Sequence, residues 1–277
     1  MSIESLLAGK WLAGPSINDA IKRISLVNSN GCRAIVNYLG EDLTNRNYID
    51  KTVEQYIQLI DAISANSQKS DISVKVTQIG LSISEEMAIA NYYKIVDYAG
   101  KKGVFIWLDM ESSNTVSSTI KIYESRLKNG NTGIAIQSYL KRSLNDVIRL
   151  TEQGGVIRLV KGAYKESPEI AFTRWEDKTR NFRNIMNYLF EKSPAFTIAT
   201  HDLDIIRDAI NLSRKYNSHV TFAMLLEIKN RYAYELARSG FRCSIYIPYG
   251  TKWVDYTFRR LREASNLHLI LRSILER

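Results

Sequence analysis

Gly154-Gly155-Val156-Ile157-Arg158-Leu159-Val160-Lys161-Gly162-Ala163-Tyr164 is the stretch from which the rest of the chain can be read. The glycine pair closes a polar helical segment. The apolar run that follows is short, rich in β-branched residues and bounded by a second glycine, which predicts a buried strand. A strand covered on both faces tolerates a charge only where something compensates it. Period-two alternation puts Arg158 and Val160 on one face and Leu159 and Lys161 on the other. Two readings follow: a structural ion pair at Arg158 with a snorkelling Lys161, or a functional site at the strand end.

The totals narrow the choice. A chain of 277 residues with 45% hydrophobic content is long enough for one barrel-sized domain. It contains no Pro/Gly/Ser-rich linker, low-complexity tract or solenoid repeat. Cys32 and Cys243 are far apart, and His201, His219 and His268 lack metal-ligand spacing, so neither a disulfide framework nor a metal site is expected. No apolar run reaches a membrane span, and the N-terminus lacks the form of a signal peptide. A cytoplasmic location is expected. The net charge of +9 is spread along the chain without aromatic-basic clustering, so nucleic acid is not an expected partner. Attraction to anionic ligands or lipid headgroups fits it, which leaves peripheral contact with the inner face of a membrane open.

Outward from the opening stretch, one pair of elements recurs. Residues 1–30 read as a helical N-terminal arm. Strands are predicted at Arg33–Leu39, Ile72–Thr77, Val104–Asp109, Gly133–Ser138, Val156–Lys161, Phe196–Thr200, Val220–Leu225 and Cys243–Pro248. Helices follow at Asn47–Ala65, Ser84–Ala99, Asn114–Leu127, Ser143–Glu152, Pro168–Phe190, Leu203–Tyr216, Lys229–Ser239 and Trp253–Ala264. Strand starts lie about 23–40 residues apart, the spacing of parallel strands joined by helical crossovers. Eight such units predict an α/β fold, a (β/α)8 TIM-type barrel over residues 31–277. The alternative, a doubly wound open sheet, lacks a Gly-x-Gly-x-x-Gly after any strand.

In such a barrel, chemistry collects at the carboxyl ends of the strands. Seven of the eight end in polar groups: Glu41; Lys75 and Thr77; Asp109 and Glu111; Gln137; Arg158, Lys161 and Tyr164; Thr200 and His201; Tyr246 and Tyr249. Each has a plain structural reading as well. Lys75 reads as mid-strand, either paired with Asp109, anchoring an anion or forming a Schiff base. Asp109 and Glu111 form a carboxylate pair suited to acid/base work, unless Glu111 is solvated. Asp202 suits a helix N-cap. Tyr256, Arg259, Arg260 and Glu263 share one helix face, either a solvated basic face or a guanidinium clamp for a carboxylate.

Ordered along the chain, Ser73-Val74-Lys75-x-Thr77-x-x-Gly80, Leu108-Asp109-Met110-Glu111, Gln137-Ser138-Tyr139-Leu140-x-Arg142, Arg158-Leu159-Val160-Lys161-Gly162-Ala163-Tyr164, Ala199-Thr200-His201, Tyr246-Ile247-Pro248-Tyr249-Gly250 and Tyr256-x-x-Arg259-Arg260-x-x-Glu263 resemble the proline dehydrogenases. The likeness runs from Tyr38 to Glu263. It implies a distorted (β/α)8 barrel holding FAD. It also implies oxidation of L-proline to Δ1-pyrroline-5-carboxylate by hydride transfer from C5 to flavin N5, with electrons passed to a quinone or another acceptor.

By the same resemblance, Arg158 corresponds to the arginine beside flavin N5, and Met110, Gln137, Val160, Lys161, Gly162, Ala163, Thr200 and His201 to further FAD contacts. Lys75, Arg259 and Arg260 correspond to carboxylate anchors, with Tyr164, Leu225, Tyr246 and Tyr256 around the substrate ring. Asp109 and Glu263 orient the cations, and Glu41 corresponds to an acid pairing with Arg259 on closure. Two positions depart from the pattern: Asp202 stands in place of an asparagine, and Leu226-Glu227 in place of a residue-glycine pair. The competing readings are a Schiff-base barrel lyase using Lys75 or Lys161 and a basic nucleic-acid- or lipid-binding protein.

Overall fold

A computed structural model describes residues 11–252. After a first helix, α1 (Ile17–Ser29), strands and helices alternate: β1 (Arg33–Tyr38), α2 (Arg46–Ala65), β2 (Ser70–Val74), α3 (Glu85–Lys101), β3 (Ile106–Leu108), α4 (Val116–Glu124), β4 (Thr132–Gln137), α5 (Ser143–Glu152), β5 (Ile157–Val160), α6 (Trp175–Lys192), β6 (Ala195–Ala199), α7 (Leu203–Lys215), β7 (His219–Leu225), α8 (Asn230–Arg238) and β8 (Arg242–Tyr249). The eight strands pair in sequence order, all parallel, and β8 closes on β1 from Arg33↔Ser244 to Tyr38↔Tyr249. The predicted barrel is present.

Local chemistry sets the helix starts. Ser16 and Asp19 form a reciprocal capping box ahead of α1, and the side chains of Asn45, Ser84 and Asp202 accept first-turn N–H groups of α2, α3 and α7. The apolar stripe of α2 (Ile49, Val53, Tyr56, Ile60, Ile63) is fully buried against the barrel. Each such side chain contributes about 1.5–3 kcal/mol through burial. Helix α1 packs on β1, β8 and α2, burying Ala20, Ile24 and Val27 at the seam where the barrel closes. The flanking backbone is stitched to β8 by Ala13 N–H to Pro248 O (2.9 Å) and Gly250 N–H to Gly14 O (2.9 Å).

Two apolar layers result among the described residues. The larger lies between strands and helices. The smaller, Ile35, Trp107 and Ala223 with Phe105, Val156, Ala199 and Tyr246 against it, fills the barrel interior. Inward positions alternate with outward ones, as the pleat requires. Trp107 spans much of this interior because its register partner on β4 is Gly133; a Cβ there would lie 2.5 Å from the indole Cζ3. The indole N–H donates to Asp71 (3.1 Å), which also accepts from Arg33 (2.5 Å).

Several elements are shorter than expected, β3 and α4 among them, and two differences go further. Strand β2 ends at Val74, so Lys75 is not mid-strand: it leads into a 3-10 turn at Val76–Gln78. Helix α6 starts at Trp175, not Pro168. Residues before it are drawn into other bonds: Lys141 N–H donates to Ile170 O (2.9 Å) and Phe172 N–H to Tyr139 O (2.8 Å). Glu166 accepts from Ser113 N–H (2.7 Å) and Oγ (2.6 Å). One turn forms, with Ala171 N–H on Ser167 O (3.0 Å), but Ile170 O and Phe172 N–H are already taken, so it does not propagate into a helix. The predicted helix at Trp253–Ala264 lies outside the described residues.

Candidate active site

At the carboxyl end of the strands, side chains from four of them converge inside the barrel. Arg158 on β5 is 3% exposed. Its Nη2 donates to Ser73 Oγ on β2 (3.1 Å) and is ion-paired with Asp109 just past β3. The same carboxylate accepts from Ser73 Oγ (2.6 Å) and from the Tyr246 hydroxyl on β8 (2.7 Å). The guanidinium lies over the rings of Trp107 (5.0 Å to the centroid) and Tyr246 (5.7 Å). These contacts form only if alternate residues of β2, β3, β5 and β8 face inward, as the pleat places them. Among the described residues, Arg158 Nη1 is buried and has no hydrogen-bond partner. A guanidinium has five donors, and a buried unused one marks a place for an acceptor.

Beside this group stands a second one. Lys75, 8% exposed, is salt-bridged to Glu41 (3.2 Å), not to Asp109. Glu111 is buried and not solvated: its two oxygens accept from Thr77 Oγ1 (2.6 Å) and Thr77 N–H (3.1 Å). Burial pushes the Glu111 carboxyl up from its ordinary value, against the charge of Lys75 and the Thr77 bonds. Glu41 pairs with Lys75 here, and its expected partner Arg259 lies outside the described residues.

The end of β5 forms the third side. Gly162 has φ +111, and a Cβ on it would lie 2.1 Å from the ring of Tyr139, so no side chain fits there without displacing that ring. The Gln137 amide is buried, its Nε2 donating to Glu111 O (2.6 Å) and its Oε1 accepting from Ala163 N–H (3.4 Å). Lys161 is ion-paired with Asp202 (2.8 Å), which also caps α7. Burial works to raise the Asp202 carboxyl, but the bond and charge of Lys161 and the α7 N–H groups hold it below the usual range. His201 Nε2 accepts from Leu225 N–H (2.9 Å), which fixes that nitrogen as the unprotonated one. Leu225 is in register with Tyr246.

The fold therefore brings Lys75, Asp109, Gln137, Arg158, Val160, Lys161, Gly162, Thr200, His201, Leu225 and Tyr246 to one end of the barrel, with Met110, Ala163 and Tyr164 directly after β3 and β5. Tyr256, Arg259, Arg260 and Glu263 lie outside the described residues. Sequence reasoning gave no role to Ser73 or Trp107. Their spacing of two from Lys75 and Asp109 was the available signal, since it puts them on the same strand face. Glu227 takes a left-handed φ of +60, the conformation glycine adopts freely, and is held by Arg23 of α1 (3.2 Å) and by its N–H to Asn230 (3.0 Å). Among the described residues, no cluster of His, Cys, Asp or Glu is placed to hold a metal ion, and no helix is long and apolar enough to cross a membrane.

The sequence matches the family model described as Proline dehydrogenase over residues 20–269. The chain belongs to the proline dehydrogenase family. It is 32% identical to proline dehydrogenase 1 of Bacillus subtilis over 275 residues, covering 98% of this chain and 91% of that protein. Proline dehydrogenase of Deinococcus radiodurans is 30% identical, with 93% and 86% covered. Among solved structures, proline utilization A from Bdellovibrio bacteriovorus superposes with a TM-score of 0.88 at 23% identity over 94% of this chain. The family member described here spans 32% of that longer chain, and at this identity the likeness is one of fold.

Proposed function

We propose that the chain is an FAD-dependent proline dehydrogenase. It oxidises L-proline to Δ1-pyrroline-5-carboxylate and passes the electrons to a quinone or another acceptor. The observation that carries this reading is the desolvated Arg158, held by Asp109, Ser73, Trp107 and Tyr246 with one nitrogen still unpartnered among the described residues. Family membership supplies the substrate class. The residues fit a flavin on two further counts: a strand end at Gly162 where only backbone can stand, and a buried amide, Gln137, fixed beside it. FAD, when bound, supplies the two-electron acceptor that no side chain provides.

The chain's own residues then divide the work. Met110, Gln137, Val160, Lys161, Gly162, Ala163, Thr200 and His201 hold the cofactor. Arg158 favours negative charge developing beside it, because a fixed cation in a water-poor mouth needs no reorganisation. Lys75 anchors the substrate carboxylate with Arg259 and Arg260, whose part rests on the family resemblance. Tyr164, Leu225, Tyr246 and Tyr256 wall the ring and exclude water, and holding it there replaces an encounter by a fixed geometry. Asp109 keeps Arg158 and Tyr246 in place, and Glu263 orients the arginines. A cytoplasmic location, with peripheral contact at the membrane's inner face, belongs to the same proposal.

The test is anaerobic addition of L-proline to the purified protein. A flavin spectrum that bleaches is the expected result. A colourless protein that borohydride traps covalently with an aldehyde or oxo-acid substrate would replace this reading with the lyase.

A further inference from the structure

The irregular segment after β1 carries Glu41, the partner of Lys75. Its ends are held at Leu39, whose N–H donates to Tyr249 O (2.8 Å), and at Asn45, whose carbonyl accepts from α2; between them the backbone bonds go to Thr77. The Asp42 N–H donates to Thr77 Oγ1 (3.0 Å) and the Leu43 N–H to Thr77 O (3.1 Å), so two consecutive amides end on one residue. Asp42 itself has φ +52, a conformation that a non-glycine residue keeps only where its surroundings over-determine it. Thr77 is that surrounding, and Thr77 is in turn gripped from two sides by Glu111.

The direction of these bonds matters. A hydroxyl has one proton. Because Thr77 Oγ1 accepts from Asp42 N–H, it is orientated by donating that proton onward, and Glu111 Oε1 at 2.6 Å receives it. Glu111 Oε2 accepts from the Thr77 N–H (3.1 Å). A carboxylate satisfies both donors, whereas a carboxamide presents an NH2 to one of them. Both residues are 3% exposed, so water does not replace a lost partner. Glu111 also accepts Gln137 Nε2 on its backbone oxygen (2.6 Å), which ties the arrangement to the β4 side of the mouth.

We infer that Glu111, acting through Thr77, is a positioning residue that sets the Glu41 segment, and with it the Lys75–Glu41 pair that substrate must meet. The inference rests on the reading of Lys75 as the carboxylate anchor. A residue that merely staples β2 to β3 would hold the fold without acting through Glu41.

The experiment compares holoenzyme of wild type, Thr77→Val, Thr77→Ser, Glu111→Gln, Glu41→Gln and the Thr77→Val/Glu41→Gln pair. Thr77→Val is expected to raise KM for L-proline about tenfold, as loss of one or two buried hydrogen bonds would, with the effect falling on KM rather than kcat. Thr77→Ser keeps the hydroxyl and should restore KM. In the Glu41→Gln background, Thr77→Val should add almost nothing, since both act through the same pair. Multiplicative effects of Thr77→Val and Glu41→Gln, or a loss confined to kcat and flavin content, would overturn the inference. Hydrogen exchange of the Asp42 and Leu43 amides gives an answer independent of turnover: faster in Thr77→Val and Glu111→Gln, restored in Thr77→Ser. If Thr77→Val does not fold, Glu111→Gln carries the same comparison. A wild type that L-proline does not bleach would sink the functional reading alone, and unchanged amide exchange would still sink the positioning.

Discussion

Two cations stand three residues apart, Arg158 on β5 and Lys161 just past its end, and the barrel treats them in opposite ways. The Arg158 side chain is 3% exposed, ion-paired with Asp109 and bedded on two aromatic rings. The Lys161 side chain is 40% exposed and meets Asp202 at the rim. Strand alternation causes the separation, sending one charge into the closed interior and the other toward the start of α7. The difference in solvent decides what each charge can do. Inside, a cation keeps its field and is expensive to leave unpaired. At the rim, water and salt screen the same unit of charge, and its partner matters mainly for local order.

The largest expected effect comes from breaking the inner member. Arg158→Met should lower turnover about 10²–10³-fold, the scale on which a preorganised charge-stabilising group acts, while most of the FAD is retained. Single-turnover flavin reduction by L-proline measures it, and a rate equal to wild type would show that the buried charge takes no part in the chemistry. Tyr246→Phe is the sharper, intermediate probe. It removes the hydroxyl that donates to Asp109 (2.7 Å) and keeps the ring under Arg158. Asp109 is partly buried, so an oxygen left without its donor corresponds to the lower part of about 1–3 kcal/mol, and kcat/KM should fall about tenfold. An unchanged value would mean that the inner cage does not need its β8 wall.

The smallest effect belongs to the rim. Asp202→Asn keeps a good N-cap for α7 and removes the charge facing Lys161. Its effect on stability near neutral pH should be within about 1 kcal/mol and shrink with added salt. The sign with pH is fixed by the lowered Asp202 carboxyl: its contribution is present above the ordinary value of 3.8 and disappears as pH falls through the folded value. Denaturant titrations of both forms between neutral and acid pH should therefore converge in acid. A gap that widens toward low pH would mean that the pair is not what stabilises this end of α7.

The same contrast explains what could be read from the sequence. Alternation and spacing placed Arg158, Asp109, Lys75 and Tyr246 at strand ends because period and polarity are local properties. Pairing is not local. Sequence alone offers Asp109 as a partner for Lys75, whereas closure of the barrel gives Lys75 Glu41 and leaves Asp109 to Arg158, Ser73 and Tyr246. Glu111 looked as ready to be solvated as to be buried, because its fate depends on Thr77 and on the loop after β1. The start of α6 differs from expectation for a related reason. A single turn forms at Ser167, but Ile170 O and Phe172 N–H are bonded to the loop after β4.

Gly133 carries a consequence of another kind. Its missing methyl group leaves the room that the Trp107 indole occupies, and that indole is the ledge on which the Arg158 guanidinium rests. The depth of the positive charge in the barrel is thus gauged by a vacancy on a neighbouring strand, as a shim gauges the height of a lens. Adding one carbon at Gly133 would tilt the ledge and move the charge without altering any ionisable residue. Gly133 and Trp107 therefore act as one unit, and a change at either reaches the charge.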